Sequence, residues 1–131
     1  MERFRFVGWV PYDRMPGFFN LADMVVQPSQ REGLSRVYLE AMACGRALIA
    51  SDIPAAREVV RHRENGLLFE RGNLDSLART MRLAADDGAL RESIGRNART
   101  SVASHALERM AAEYDRVFHE VVQPRTERRG E

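Results

Sequence analysis

The chain contains no lysine: all 20 of its basic side chains other than histidine are arginine. That excludes chemistry that passes through a lysine Schiff base, pyridoxal-phosphate catalysis included. Cysteine is nearly absent, with Cys44 alone among 131 residues, so there is no internal disulfide and no zinc site built on thiolates. Within Ala-Met-Ala-Cys-Gly it reads as a small buried thiol, not a nucleophile. An excess of one charge is also missing. The net charge of +1 removes any bulk electrostatic argument for nucleic acid. No apolar run approaches the roughly 20 residues that cross a bilayer. Glu2, Arg3 and Arg5 lead into no long apolar core of a signal peptide, and the expectation is a cytoplasmic protein. His62, His105 and His119 stand in polar contexts without ligand spacing, and Asp86-Asp87 is not an Asp-x-Asp pair, so no metal and no cofactor are implied.

What is present is a globular composition, 44% hydrophobic and 30% charged, at a length that fits one domain. Phe4 to Val10 is rich in β-formers and predicts a strand that ends at Pro11. Met15 to Ala22 predicts a short helix, and Met24-Val25-Val26 a buried strand stopped by Pro28. Leu34 to Cys44 predicts a helix closed by Gly45. Ala47 to Ala50 is a second fully apolar strand, followed by a helix from Pro54 to about Arg61. Asn65-Gly66 turns into a strand that reaches Phe69. Short apolar strands alternating with helices argue for an α/β fold with a parallel sheet of about four strands covered on both faces. From Asn73 the pattern becomes helical, with segments at Asn73 to about Gly88, Leu90 to Ala98 and Ala106 to Val122. Residues 123–131 form a charged tail, expected to fray.

The chemistry concentrates between the second strand and the helix after it. Gln27-Pro28-Ser29-Gln30-Arg31-Glu32-Gly33 lies at the carboxyl end of a parallel strand, where α/β folds gather ligands. The amides of Gly33, Leu34 and Ser35 would open the following helix and favour a phosphate, and Gly33 admits close approach to the backbone. Eight residues after Glu32, Glu40 interrupts the apolar set Val37, Leu39, Ala41 and Met42. A carboxylate there has two readings: a surface pair with Arg36 one turn earlier, or an acceptor for two hydroxyls of a ribose. The residues alone leave both open. Glu32 likewise suits either a sugar hydroxyl or the charge preference of a helix start.

These residues resemble the C-terminal half of the family-four (group 1) glycosyltransferases of the GT-B fold. The resemblance rests on Phe6-Val7-Gly8-Trp9-Val10-Pro11, on Ala22-Asp23-Met24-Val25-Val26-Gln27-Pro28-Ser29, and on Glu32-Gly33 through Glu40-Ala41-Met42-Ala43-Cys44-Gly45. It continues through Leu48-Ile49-Ala50-Ser51-Asp52, Arg57-Glu58-Val59-Val60 and Asn65-Gly66-Leu67-Leu68-Phe69. It implies a partial Rossmann-like domain over residues 1–122. It also implies a nucleotide-diphosphate sugar of UDP or GDP type as donor, transfer with retention, and a glycan or lipid-linked acceptor. Glu32 would serve catalysis at the donor sugar, and Glu40 would hold the ribose. Gly33, Leu34, Ser35 and Arg36 would meet the diphosphate, and the backbone near Val10 the base. Ser35 stands where many relatives have glycine.

The Glu-Gly-Leu-Ser-Arg-Val variant is similar to enzymes of cell-surface polysaccharide and lipid-linked oligosaccharide synthesis. The full enzyme would then sit in the cytoplasm or peripherally at the inner face of the membrane. Family members begin this domain with two further strands and helices, which carry an arginine and a lysine that clamp the donor phosphates. Their sheet order, 3-2-1-4-5-6, places that pair between the Phe4–Val7 strand and the next one. This chain has neither segment, so the expectation is the donor-binding piece of a larger enzyme, inactive alone. Two other classes follow from the same residues: a non-catalytic nucleotide-binding or interaction module, and a nucleotide-sugar 2-epimerase.

Overall fold

The computed structural model describes residues 3–33 and 35–103. After a single 3-10 turn at Tyr12–Arg14, the elements are α1 (Met15–Leu21), β1 (Met24–Gln27), α2 (Arg36–Ala43), β2 (Ala47–Ser51), α3 (Pro54–Val59), β3 (Leu67–Phe69), α4 (Leu74–Asp86) and α5 (Gly88–Val102). The three strands form one parallel sheet in the order β1-β2-β3. Val25 pairs with Leu48 and Ala50 with Leu68, so all three carboxyl ends lie along the same rim.

Both faces are covered, as continuous apolar strands require. Leu48 and Ala50 pack with Tyr38, Met42, Ile53 and Ala56 of the α2–α3 layer. Ala47 and Ile49 pack with Leu67, Phe69, Ala84 and Ile94 beneath α4 and α5. Every residue of β2 is buried, which explains why its sequence reads as one apolar run without alternation.

The segment from Phe4 to Val10 corrects the expected four-strand sheet to three strands. It is not a strand, and Phe4, Phe6 and Trp9 are 80%, 97% and 86% exposed. A strand exists through its ladder to a neighbour, and no described strand lies beside this segment to complete one.

Helix boundaries also shift. Arg36, not Leu34, opens α2, because Ser35 is extended (φ −73°, ψ 122°). α3 stops at Val59, short of Arg61, where Asn65 intervenes: it accepts from Arg61 N and donates to Val59 O and Ser101 Oγ. Asp86-Asp87-Gly88, expected to end a helix, also starts the next one. Asp87 Oδ1 accepts from Leu90 N at 2.8 Å and caps α5, which therefore begins at Gly88 and not at Leu90. Asn73, where the helical pattern is expected to begin, caps α4, its Oδ1 accepting from Ser76 N at 2.9 Å. The helix expected at Ala106 to Val122, and the tail after it, lie outside the described residues.

The turn from α2 into β2 is closely fixed. Gly45 takes φ +66°, its N–H donates to Met42 O, and Arg46 N donates to Ala41 O, which is a Schellman cap. A Cβ on Gly95 of α5 would fall 2.2 Å from Gly45 O. Backbone meets backbone there, and only glycine permits it.

Candidate functional site at the carboxyl rim of the sheet

Strand β1 delivers its last residue, Gln27, to the rim, and residues 28–35 cross from it to α2. In that loop Glu32 Oε1 accepts from Ser29 Oγ at 2.7 Å and from Gln27 Nε2 at 3.3 Å, while Gln27 Nε2 also reaches Ser29 Oγ at 3.0 Å. Glu32 is thus an exposed carboxylate fastened by two neutral donors, with one oxygen left uncommitted among the described residues. Gly33 is exposed, and a Cβ there would meet nothing within 4 Å, so the loop surface is open to a ligand. Ser35 is buried at 7% and makes no side-chain cap. Leu34 lies outside the described residues, so the expected pair of phosphate-facing amides is described only through Ser35.

Glu40 sits one turn further along α2, its side chain 24% exposed, with Oε1 3.4 Å from Arg36 Nη2. The Arg36 guanidinium in turn stacks 4.4 Å from the centre of the Tyr12 ring. Tyr12 first, then Glu40, raise the guanidinium above its ordinary value. Glu40 also lines a cavity of about 210 Å³ between the Tyr12 turn with α1 and the outer side of α2, together with Tyr12, Met15, Phe19 and Cys44. Val10 is half-buried and leads through Pro11 into that turn. The two carboxylates therefore belong to separate side-chain clusters, Glu32 with Gln27 and Ser29, and Glu40 with Arg36 and Tyr12. No contact joins them among the described residues.

Two aromatic residues at the site escaped the sequence reading. Tyr12 builds one wall of the Glu40 cavity, and its only advance signal is its place two residues after Val10. Tyr38 is fully buried, yet its hydroxyl has no hydrogen-bond partner among the described residues. Burial first, and the charge of Glu32 second, push that hydroxyl above its ordinary value.

Further along the rim, Asp52 follows β2 and is held by Arg57 through two bonds, one of them 2.8 Å from Nη2 to Oδ2. The bonding to Arg57 first, and the charge of that guanidinium after it, hold the Asp52 carboxyl below the usual carboxylate value. His62 is exposed, as expected, but it also accepts from Leu68 N at 3.0 Å through Nδ1. Cys44 is half-buried. No group of three or more His, Cys, Asp or Glu side chains suits a metal ion among the described residues.

A family model described as glycosyl transferases group 1 matches residues 1–101. The capsular polysaccharide biosynthesis glycosyltransferase CapM of Staphylococcus aureus is 33% identical over 85 residues, which is 65% of this chain and 22% of that protein. Sucrose-phosphate synthase from Thermosynechococcus elongatus superposes with a TM-score of 0.85 at 28% identity, over 89% of this chain and 30% of that one. Anabaena HepE, solved in complex with UDP-glucose, superposes with a TM-score of 0.70 at 27% identity, over 82% of this chain and 29% of that one. The chain spans about a quarter to a third of the length of the curated relatives it matches.

Proposed function

The chain belongs to the group 1 glycosyl transferases, and on that footing we propose that it is the donor-binding part of an enzyme that transfers a sugar, with retention, from a nucleotide-diphosphate sugar. The acceptor is a glycan or a lipid-linked sugar of cell-surface polysaccharide synthesis. The working enzyme sits in the cytoplasm or peripherally at the inner face of the membrane.

The observation that carries this reading is Glu40, a carboxylate lining a largely apolar cavity of about 210 Å³ with Tyr12 as a wall. That combination suits a nucleoside: the carboxylate accepts from ribose hydroxyls, and the base lies against Tyr12 and the backbone near Val10. Glu32, fastened at the rim with one free oxygen, is the acceptor for hydroxyls of the donor sugar. Between them in sequence, Gly33 and Ser35 lead into α2 at Arg36, and their amides and the positive dipole end of the helix suit the diphosphate. The same groups then stabilise the charge that gathers on the leaving diphosphate. The complex of HepE with UDP-glucose and the polysaccharide role in CapM's name support the donor class and the pathway.

Titration calorimetry of the chain with UDP, GDP and UDP-glucose tests the reading. Binding of one nucleoside diphosphate that Glu40→Gln weakens, and a further gain from the sugar that Glu32→Gln removes, are the expected results. Nucleotide affinity equal in the Glu40→Gln variant would sink the ribose role.

A further inference from the structure

At the opposite end of α2 from the rim, a second cleft of about 290 Å³ opens between the α2–β2 turn and α5. Its walls carry three guanidinium groups, Arg46, Arg96 and Arg99, against the single carboxylate of Glu92. The cluster is built into the fold. Glu92, Gly95, Arg96 and Arg99 occupy positions i, i+3, i+4 and i+7 of α5 and so share one face. The backbone contact of Gly45 with Gly95 sets Arg46, the next residue of the turn, against that face.

Among the described residues the positive charge there is largely uncompensated. Of the three arginines, Glu92 pairs with Arg96, at 3.6 Å in an exposed pair. Arg46 donates to a neutral oxygen, Asn20 Oδ1, at 3.4 Å, while its Nε is buried without a partner. Arg99 has no hydrogen-bond or ion-pair partner among the described residues. The negative end of α2 does not compete for these groups. Three carbonyls of its final turn, those of Glu40, Ala41 and Met42, already accept from Cys44 N, Arg46 N and Gly45 N.

Planar guanidinium forks match the oxygens of a phosphate. We propose that this cleft binds a phosphate group, either on a small soluble molecule or on a lipid headgroup, separately from the rim site. The three arginines hold the phosphate oxygens, and Glu92 opposes them.

The test is calorimetry of the full chain with inorganic phosphate, set against sodium chloride at equal ionic strength. Saturable phosphate binding is expected. It should fall at least tenfold in the Arg96→Gln/Arg99→Gln double variant, whose changes are on exposed side chains. It should tighten in Glu92→Gln. Pelleting with phosphatidylcholine vesicles that contain phosphatidic acid separates the sources. Pelleting lost in the double variant assigns a lipid headgroup, and phosphate binding without pelleting assigns a soluble ligand. No saturable binding, or an unchanged affinity in the double variant, overturns the proposal.

Discussion

The guanidinium of Arg36 lies 4.4 Å from the centre of the Tyr12 ring and 3.4 Å from Oε1 of Glu40, so one cation joins the turn before α1 to the second turn of α2. With 70% of its side chain exposed, Arg36 makes the kind of helical ion pair that contributes little to folding. The surface-pair reading of Glu40 therefore holds, and the pair is weak enough to leave the carboxylate available for the ribose role proposed above.

Glu40→Gln should accordingly leave the melting temperature within about 2 °C of the parent, since surface changes of this kind are small. Nucleoside diphosphate affinity should fall about tenfold or more, because a neutral amide cannot accept from two hydroxyls as a carboxylate does. Calorimetry and a thermal melt on the same sample separate the two effects. A large fall in melting temperature would show that the pair is structural.

Gly95→Ala should destabilise the domain by about 1–3 kcal/mol through overpacking, despite the better helix propensity of alanine. The added methyl would meet Gly45 O, which is backbone and cannot swing aside. Urea unfolding followed by circular dichroism reads this directly. A variant as stable as the parent means the α2–β2 turn can move away from α5.

Asn65 is 2% exposed and ties three segments together, bonding Arg61 N, Val59 O and Ser101 Oγ. Asn65→Ala leaves several of these groups unsatisfied and should lower stability by about 2–3 kcal/mol. Chemical denaturation is the measurement, and a loss below about 0.5 kcal/mol, within the range of ordinary surface changes, would mean that water replaces the amide.

Tyr38→Phe removes a buried hydroxyl that has no partner, and taking away an unsatisfied polar group is neutral or stabilising, by up to about 1 kcal/mol. A clear loss of stability instead would reveal a bond from the hydroxyl to an ordered water.

Asp52 carries the pH dependence. Its folded-state value lies below the ordinary 3.8, chiefly through the bond from Arg57. A depressed carboxyl contributes stability that is fully present above the unfolded value and is lost as pH falls through the folded one. The stability gap between the parent and Arg57→Gln should thus be constant at neutral pH and close on acidification below about pH 4. Calorimetric melts across that range check it. A gap that persists in acid would assign the role of Arg57 to packing.

The layered sheet was legible because its determinants are local. The all-apolar Ala47 to Ala50 needs cover on both faces, and Pro28, Gly45 and Pro54 punctuate the elements around it. Phe4 to Val10 shows where such reasoning stops: β-forming residues supply propensity, but a strand needs a neighbour, and no described strand lies beside it. Asp87 fell the same way, since an acidic residue before glycine marks a helix end from one side and a helix cap from the other. At the site, the loop position of Glu32 and the helical position of Glu40 followed from spacing alone. The cluster of Glu32 with Gln27 and Ser29 did not, and neither did Tyr12, whose role depends on a helix 24 positions further along meeting it in space.

The bond from Leu68 N–H to His62 gives the sheet a direction. Among the described residues, one border strand, β3, has the outward-facing amide of Leu68 already occupied by an imidazole, while the other, β1, shows no main-chain bond on its outer edge. The flank beside Met24–Gln27 is therefore the more open of the two to an added strand.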